Sequence, residues 1–209
     1  MLGLPEPINN CINKLQQLQT LGRRSAQRVT LDILQSDPEL FSEIIISLGE
    51  MRSKVKFCNQ CGFFAEGELC EICSNDRRDS YKICLVEKPT DVLNLEKTQI
   101  YNGLYHVINQ LISPIDNIFV ENTSLPDLIQ KRLKSLLNSN QNNIELIIFF
   151  KAGFSADATT AYIKGKINEL GWKDRITITK LAEGLPLYYN AESLDQATII
   201  RALEDRKLI

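Results

Sequence analysis

Apolar residues recur at spacings of three and four through residues 1–56, a periodicity typical of amphipathic helices. A break at residues 19–22 separates a first helix from a second that begins at Arg23. Residues 36–39 restart the pattern, since polar cap residues and an early proline favour a helix N-terminus. The predicted inward positions are Ile8, Ile12, Leu15 and Leu18, then Ala26, Val29, Ile33 and Leu34, then Phe41, Ile44, Ile45, Leu48 and Met51. This pattern predicts an all-helical domain over residues 1–56.

Residues 57–79 lose this periodicity and are dominated by cysteine, glycine and charged residues. A segment so poor in aliphatic side chains needs something other than a hydrophobic core to hold its shape. We therefore treat it as a separate small domain.

From residue 80 onward, short continuous apolar runs alternate with helical patterns. The predicted strands are 83–86, 118–120 (the weakest), 144–150 (the strongest) and 176–179, and the predicted helices are 90–99, 125–137, 156–170 and 193–206. This alternation predicts a parallel or mixed sheet covered on both faces. The sheet domain spans residues 80–180, and residues 181–209 form a closing segment with the last helix.

Composition narrows the range of functions only slightly. No apolar stretch reaches 18 residues, and the N-terminus lacks the basic-then-apolar order of a secretory signal, so we expect a cytoplasmic protein without a membrane span. The net charge of −2 argues against a protein that coats nucleic acid with its whole surface. A local basic patch remains compatible with it, because salt screens distant charges.

Four cysteines follow the spacing Cys58-x2-Cys61-x8-Cys70-x2-Cys73. Each Cys-x-x-Cys pair can aim two sulfurs at one ion, and two pairs complete the tetrahedron that zinc prefers. All four positions would be filled by protein, so the site would be structural, with one Zn²⁺ per chain and no catalytic residues. Unliganded thiols or two disulfides are the alternatives, and a reducing compartment disfavours the second.

A glycine followed by basic residues marks the start of the second helix. Gly22 precedes Arg23 and Arg24, and Arg28 lies one turn beyond. Free backbone N–H groups at a helix N-terminus can bind phosphate, and the arginines add charge, so we expect sequence-independent DNA contacts here. The alternative is a solvated basic helix start.

Several short strings, in this order and spacing, resemble the bacterial RecR family over essentially the whole chain. They are Leu4-Pro5-Glu6-Pro7-Ile8, Cys70-Glu71-Ile72-Cys73 with Arg77-Arg78-Asp79, residues 83–92, residues 101–107, residues 112–116, Gly184-Leu185-Pro186 and Asp195-Gln196-Ala197-Thr198. The resemblance implies a multidomain α and β protein: an N-terminal helix–hairpin–helix, a C4 zinc finger, an α/β Toprim domain and a C-terminal helical segment. It also implies a homo-oligomer, a dimer or a tetrameric ring that encircles DNA, and a partnership with RecO and RecF in loading RecA at gaps.

The resemblance also locates the acidic positions of a Toprim domain. Glu87 matches the first, Asp91 lies one turn further on, and Asp157 follows Ser155 and Ala156 where the family usually has an acid and a glycine. The helix–hairpin–helix also departs from the family pattern, because Thr20 stands where the family usually has a glycine. We expect a non-enzymatic mediator, in which these acids are partner contacts or solvated carboxylates. The alternatives are a Toprim-type metal-dependent nuclease or primase-like enzyme, and a degenerate scaffold that keeps only protein contacts.

Overall fold

The computed structural model describes residues 3–139, 142–181 and 196. The chain divides into two units, Met1–Val55 and Lys56–Ile209. Apart from residues 181 and 196, the predicted closing segment and its helix lie outside the described residues.

The N-terminal unit contains three helices in its described part: α1 (Glu6–Leu15), α2 (Arg23–Gln35) and α3 (Pro38–Lys54). The predicted break and the start of α2 at Arg23 are confirmed. The restart signal is also confirmed, because the Asp37 carboxylate accepts the backbone N–H groups of Glu39 and Leu40 at 3.1 and 3.0 Å. Leu18 lies beyond the end of α1 and is exposed, so its predicted place on the first helix face is wrong.

Burial in this unit is thinner than the periodicity predicts. Ile12 of α1 and Ala26 and Thr30 of α2 are buried where these two helices pack together. No residue of α3 is buried within the described chain. The predicted inward positions Val29, Leu34, Phe41, Ile45, Leu48 and Met51 are exposed. Periodicity identifies the apolar side of a helix, but burial also requires a surface to cover it.

The second unit opens with a two-stranded antiparallel sheet made of β1 (Lys56–Phe57) and β2 (Phe64–Ala65). The sequence did not predict these strands, because two residues are too few to show a period.

A parallel four-stranded sheet of order β4-β3-β5-β6 follows. Its strands are β3 (Asp79–Val86), β4 (Gly103–Val107), β5 (Ile144–Phe149) and β6 (Ile176–Lys180). The predicted parallel sheet is confirmed. The strand expected at 118–120 is wrong: Val120–Asn122 is a 3₁₀ turn, and Asn122 Oδ1 accepts the Phe119 N–H at 2.9 Å. Edge strand β4 was missed, since Gly103, Tyr105 and His106 interrupt its apolar character.

Helices cover both faces of this sheet. On one face α6 (Phe154–Glu169) and a π-helical segment (Asp127–Leu133), which continues into α5 (Lys134–Ser139), pack on Leu85 and its neighbours. On the other face α4 (Pro89–Glu96) packs on Cys84 and Val86 through Val92. Phe63 and Ile72, from the cysteine-rich segment, join this second core. The cysteine-rich segment is therefore packed onto the sheet rather than appended to it.

Candidate metal centre and its attachment to the sheet

The four cysteines of residues 58–73 converge on one point. Their sulfur atoms all lie within 4.8 Å of one another, and Cys58, Cys61 and Cys70 are buried. The Sγ atoms of Cys61 and Cys70 are 3.6 Å apart. A tetrahedron with Zn–S bonds of about 2.3 Å has sulfur–sulfur edges of about 3.8 Å, so the donor set fits a tetrathiolate zinc site. All the cysteines are free thiols, which disfavours the two-disulfide alternative.

The first Cys-x-x-Cys pair is shaped by a tight turn. Cys58 donates its N–H to the Phe63 carbonyl at 2.6 Å, and its own carbonyl accepts the Gly62 N–H at 2.9 Å. Gly62 has a φ of 76°, a left-handed conformation that residues with a Cβ rarely adopt. The Phe63 N–H points at Cys61 Sγ at 3.4 Å. The glycine directly after the pair is thus what lets the backbone donate toward sulfur.

The second pair forms a similar turn. Cys70 Sγ accepts the N–H of Cys73 at 3.5 Å, and the Cys70 carbonyl accepts the N–H of Ser74 at 3.0 Å. Backbone N–H groups aimed at sulfur favour the thiolate over the thiol. Both turns therefore prepare the ligands for a cation.

Proton sharing among the thiols points the same way. Hydrogen bonds from Cys61 and Cys73 lower the pKa of the Cys70 thiol to about 2. Hydrogen bonds to Cys70 and Cys73, together with burial, raise the pKa of the Cys61 thiol well above its usual range. Sulfurs this close cannot all ionise without a positive charge between them, and a metal ion supplies that charge by displacing the protons.

The cluster is attached to the free edge of β4. Val107 donates its backbone N–H to the Cys61 carbonyl at 2.8 Å. Two residues earlier, the Tyr105 carbonyl accepts a hydrogen bond from Arg132 Nη1. The outward backbone groups of an edge strand are thus satisfied by the cysteine segment and by a buried arginine. Sequence reasoning missed this edge. Its one signal was Arg132, a basic residue inside the apolar pattern of residues 125–137.

A second network joins the end of the cysteine segment to the sheet. Arg78 donates through both terminal nitrogens to the Glu96 carboxylate of α4, with Nη1 at 2.8 Å from Oε1. The Tyr105 hydroxyl donates to the same carboxylate at 2.6 Å. The Arg78 guanidinium, assisted by that hydroxyl, lowers the pKa of Glu96 despite its partial burial. This bidentate pair fixes the chain where it leaves the second cysteine turn.

The single histidine, His106, lies in β4 and is 3% exposed. Its Nε2 is 3.0 Å from the Ser124 hydroxyl oxygen, and that hydroxyl donates to the Val107 carbonyl at 2.6 Å. Burial, and then the charge of Arg132, lower the pKa of His106 to about 4. His106 is therefore a buried, hydrogen-bonded residue of the sheet.

The predicted phosphate-binding residues lie together at the start of α2. Gly22 is the N-cap, Arg23 and Arg24 open the first turn, and no acidic residue is found in that turn. All four predicted residues, including Arg28, lie outside the buried core, with the three arginines exposed. No side chain caps this helix end within the described chain, so its first backbone N–H groups are open to an anion.

The predicted Toprim acids are separated by their local roles. Asp91 accepts the backbone N–H of Lys88 at 2.8 Å and closes the first turn of α4. Asp157 is exposed in the first turn of α6. Glu87 lines a cleft of about 460 Å³ at the carboxyl ends of the strands, with Lys151. Among the described residues, the cysteine cluster is the one group of three or more side chains placed to share a metal ion, so these acids do not form a second.

Comparison with known proteins agrees with this arrangement. The family model for the four-cysteine zinc finger domain of RecR matches residues 55–75, and that for the Toprim domain matches residues 81–182. The class of protein is thus one that joins a four-cysteine finger to a Toprim domain.

Full-length relatives narrow the class further. The chain is 36% identical over 202 residues to "Recombination protein RecR" of Tropheryma whipplei (strain Twist), covering 97% of each chain. It is 35% identical over 200 residues to that of Acidothermus cellulolyticus, covering 96% of each, and 34% identical over 203 residues to that of Desulforapulum autotrophicum, covering 97% of each. The chain belongs to the RecR family. Within the described residues, no helix combines the length and apolarity needed to cross a bilayer.

Proposed function

We propose that the chain is a non-enzymatic recombination and repair mediator that binds DNA without sequence preference. In this role it acts as a clamp with RecO, and with RecF where that route operates, to promote RecA loading at gaps. The observation that carries the proposal is the four-cysteine centre built onto the edge of a Toprim sheet, in a chain that matches RecR proteins over nearly its full length. Because bacterial DNA lies in the cytosol, the role places the protein there.

The metal in this proposal is one structural Zn²⁺ per chain, held by Cys58, Cys61, Cys70 and Cys73. Soft thiolates select zinc over magnesium or calcium, and four protein ligands leave no coordination position for water. Bound by these four residues, the ion would tie the two cysteine turns together, in a segment whose core contains few residues besides the cysteines themselves. The proposed ion holds structure and takes no part in a reaction.

DNA binding is assigned to the start of α2. Gly22, Arg23, Arg24 and Arg28 present open N–H groups and positive charge at the surface. These groups suit backbone phosphates, and a protein that neutralises phosphates releases counterions and becomes salt-sensitive.

Self-assembly into a dimer or ring is supported by α3. Its side chains Phe41, Ile46 and Leu48 are 43%, 61% and 57% exposed. Apolar side chains exposed along a whole helix are typical of surfaces that another subunit covers. We assign α3 to a contact between copies of this chain.

The proposal is tested with a circular DNA that carries a single-stranded gap. We expect the protein to remain on closed circles after a salt wash and to slide off once the DNA is linearised, because a clamp is held topologically. Equal loss from both forms would contradict the clamp. Cleavage of the circle in the presence of magnesium would favour the metal-dependent nuclease instead.

The basic patch is tested by replacing Arg23 and Arg24 with alanine. The slope of log affinity against log salt should fall by about 2, because two phosphate contacts are lost. The matched control replaces two exposed basic residues away from both α2 and α3, Lys164 and Lys173, and should leave the slope unchanged. An unchanged slope in the first variant would remove this patch from the DNA site.

A further inference from the structure

Arg132 is a buried charge without an acidic partner among the described residues. It is 6% exposed, and its Nε and Nη2 atoms have no hydrogen-bond partner in the part of the chain that the structure describes. A nearby carboxylate on the same segment, Asp127, pairs instead with exposed Lys131 at 2.6 Å. The side chain of Arg132 donates from Nη1 to the Tyr105 carbonyl.

One neutral acceptor cannot balance a buried guanidinium. Removing a charged group from water is costly unless an opposite charge and further hydrogen bonds replace the lost solvent. Arginine does not lose its proton in proteins, so the charge must be balanced where it lies. The position of Arg132 therefore requires negative charge nearby.

The cysteine cluster lies on the same side of the molecule: Arg132 lines a cleft with Asn59 and Gln60, the two residues between Cys58 and Cys61. Burial lowers the pKa of the Arg132 guanidinium, and the charges of Cys73, Cys61 and Cys58 act in the opposite direction. The backbone gives the same neighbourhood, because Arg132 binds the carbonyl of Tyr105 while Val107, two residues on, binds the carbonyl of Cys61. Arg132 and the first cysteine turn meet along one strand edge.

Four thiolates and one Zn²⁺ carry a net negative charge, which is itself costly to bury. A fixed guanidinium at the strand edge that also holds the first cysteine turn offsets this charge. Groups around the ligands commonly tune metal affinity in this way.

We propose that Arg132 is a positioning residue for the metal centre: a buried counter-charge, carried by the π-helical segment, that offsets the negative charge of the metal-bound thiolates and couples metal binding to the Toprim helices. This inference rests on the proposed zinc centre. Arg132 lies far beyond the last ligand, Cys73, in the sequence, and the inference gives it a role in the affinity for the metal.

The test compares two conservative replacements by zinc competition titration against a chromogenic chelator. Arg132→Gln keeps an N–H donor for the Tyr105 carbonyl but has no charge, whereas Arg132→Lys keeps the charge. We expect the glutamine variant to bind zinc at least about tenfold more weakly than the original chain, and the lysine variant to bind about tenfold more tightly than the glutamine one. Lys131→Gln, an exposed neighbour on the same segment, is the matched control and should leave affinity unchanged.

The outcomes separate this inference from the zinc centre itself. If the unaltered chain takes up no zinc, the metal centre fails. If it binds zinc and the glutamine variant binds equally well, only the role of Arg132 is overturned. Equal losses in the glutamine and lysine variants would also overturn it, since packing rather than charge would then explain them. Should the glutamine variant not fold, zinc-loaded and folded Arg132→Lys supports the counter-charge, and loss of zinc from Arg132→Lys contradicts it.

Discussion

The two units of the chain bury their apolar side chains to different extents. In the α/β unit, Ile83, Leu85, Ile163 and their neighbours are fully buried between sheet and helices. In the N-terminal unit, two residues of α2 and one of α1 are buried, and none of α3, within the described chain. A region with a closed core owes its stability to its own sequence. A region with uncovered apolar helices owes part of its stability to whatever covers them.

The largest effect is expected from the metal ligands. Cys70→Ser removes a thiolate, and a structural zinc site contributes on the order of 10 kcal/mol to folding. We expect the second unit to lose its finger while α1 and α2 keep their amide protection in hydrogen exchange. A chelator should lower the melting temperature of the original chain and leave that of the variant unchanged. A variant that, in chelator, still melts at the temperature of the untreated original chain would show that the finger stands without metal.

A matched pair of isoleucines tests the comparison directly. Ile163→Ala in α6 deletes a fully buried side chain and should lower the free energy of unfolding by about 4 kcal/mol. Ile46→Ala in α3 deletes one that is 61% exposed and should cost less than about 0.5 kcal/mol in dilute protein. Urea denaturation at two protein concentrations checks both. A cost for Ile46→Ala that grows with concentration would show that α3 is covered by another subunit.

A somewhat smaller effect is expected at Gly103, where the edge strand begins. A Cβ there would lie 2.7 Å from the Lys82 backbone carbonyl and against the Tyr101 hydroxyl. Gly103→Ala should therefore lower the free energy of unfolding by about 3 kcal/mol, as overpacking does. The control is Gly165→Ala in α6, where the Cβ meets open space and should stabilise the helix by about 0.5–1 kcal/mol. Equal midpoints of thermal unfolding for the two variants would refute the clash.

The smallest of these effects concerns pH. The folded-state pKa of His106 is about 4, below its ordinary value of 6.5, so between these values the unfolded chain binds a proton that the folded chain does not. Stability is therefore full above about pH 6.5 and falls as the pH drops, by about 2 kcal/mol at about pH 5. His106→Asn should lose correspondingly less between about pH 7.5 and about pH 5 in urea titrations. Identical pH profiles for the two proteins would assign the acid sensitivity to other groups.

Features that depend on a few neighbouring residues were predicted correctly from the sequence. Features that depend on contacts between distant parts of the chain were not. The cysteine spacing, the helix start at Arg23 and the apolar run of β5 each lie within a few residues, and the structure has them as predicted. Strand β4 could not be read in this way, because its partners are β3 and the cysteine turn rather than its chain neighbours. The same holds for Arg132, whose relation to the cysteines exists only in three dimensions.

The place of the cysteine turn on β4 has a consequence for cells short of zinc. The turn and Arg132 occupy backbone groups that would otherwise be free to pair with a strand of another molecule. Loss of the ion would release the cysteine turn and expose the Val107 N–H while the rest of the sheet persists. In cells short of zinc, we therefore expect the chain to aggregate by strand pairing at β4 and not only to lose activity.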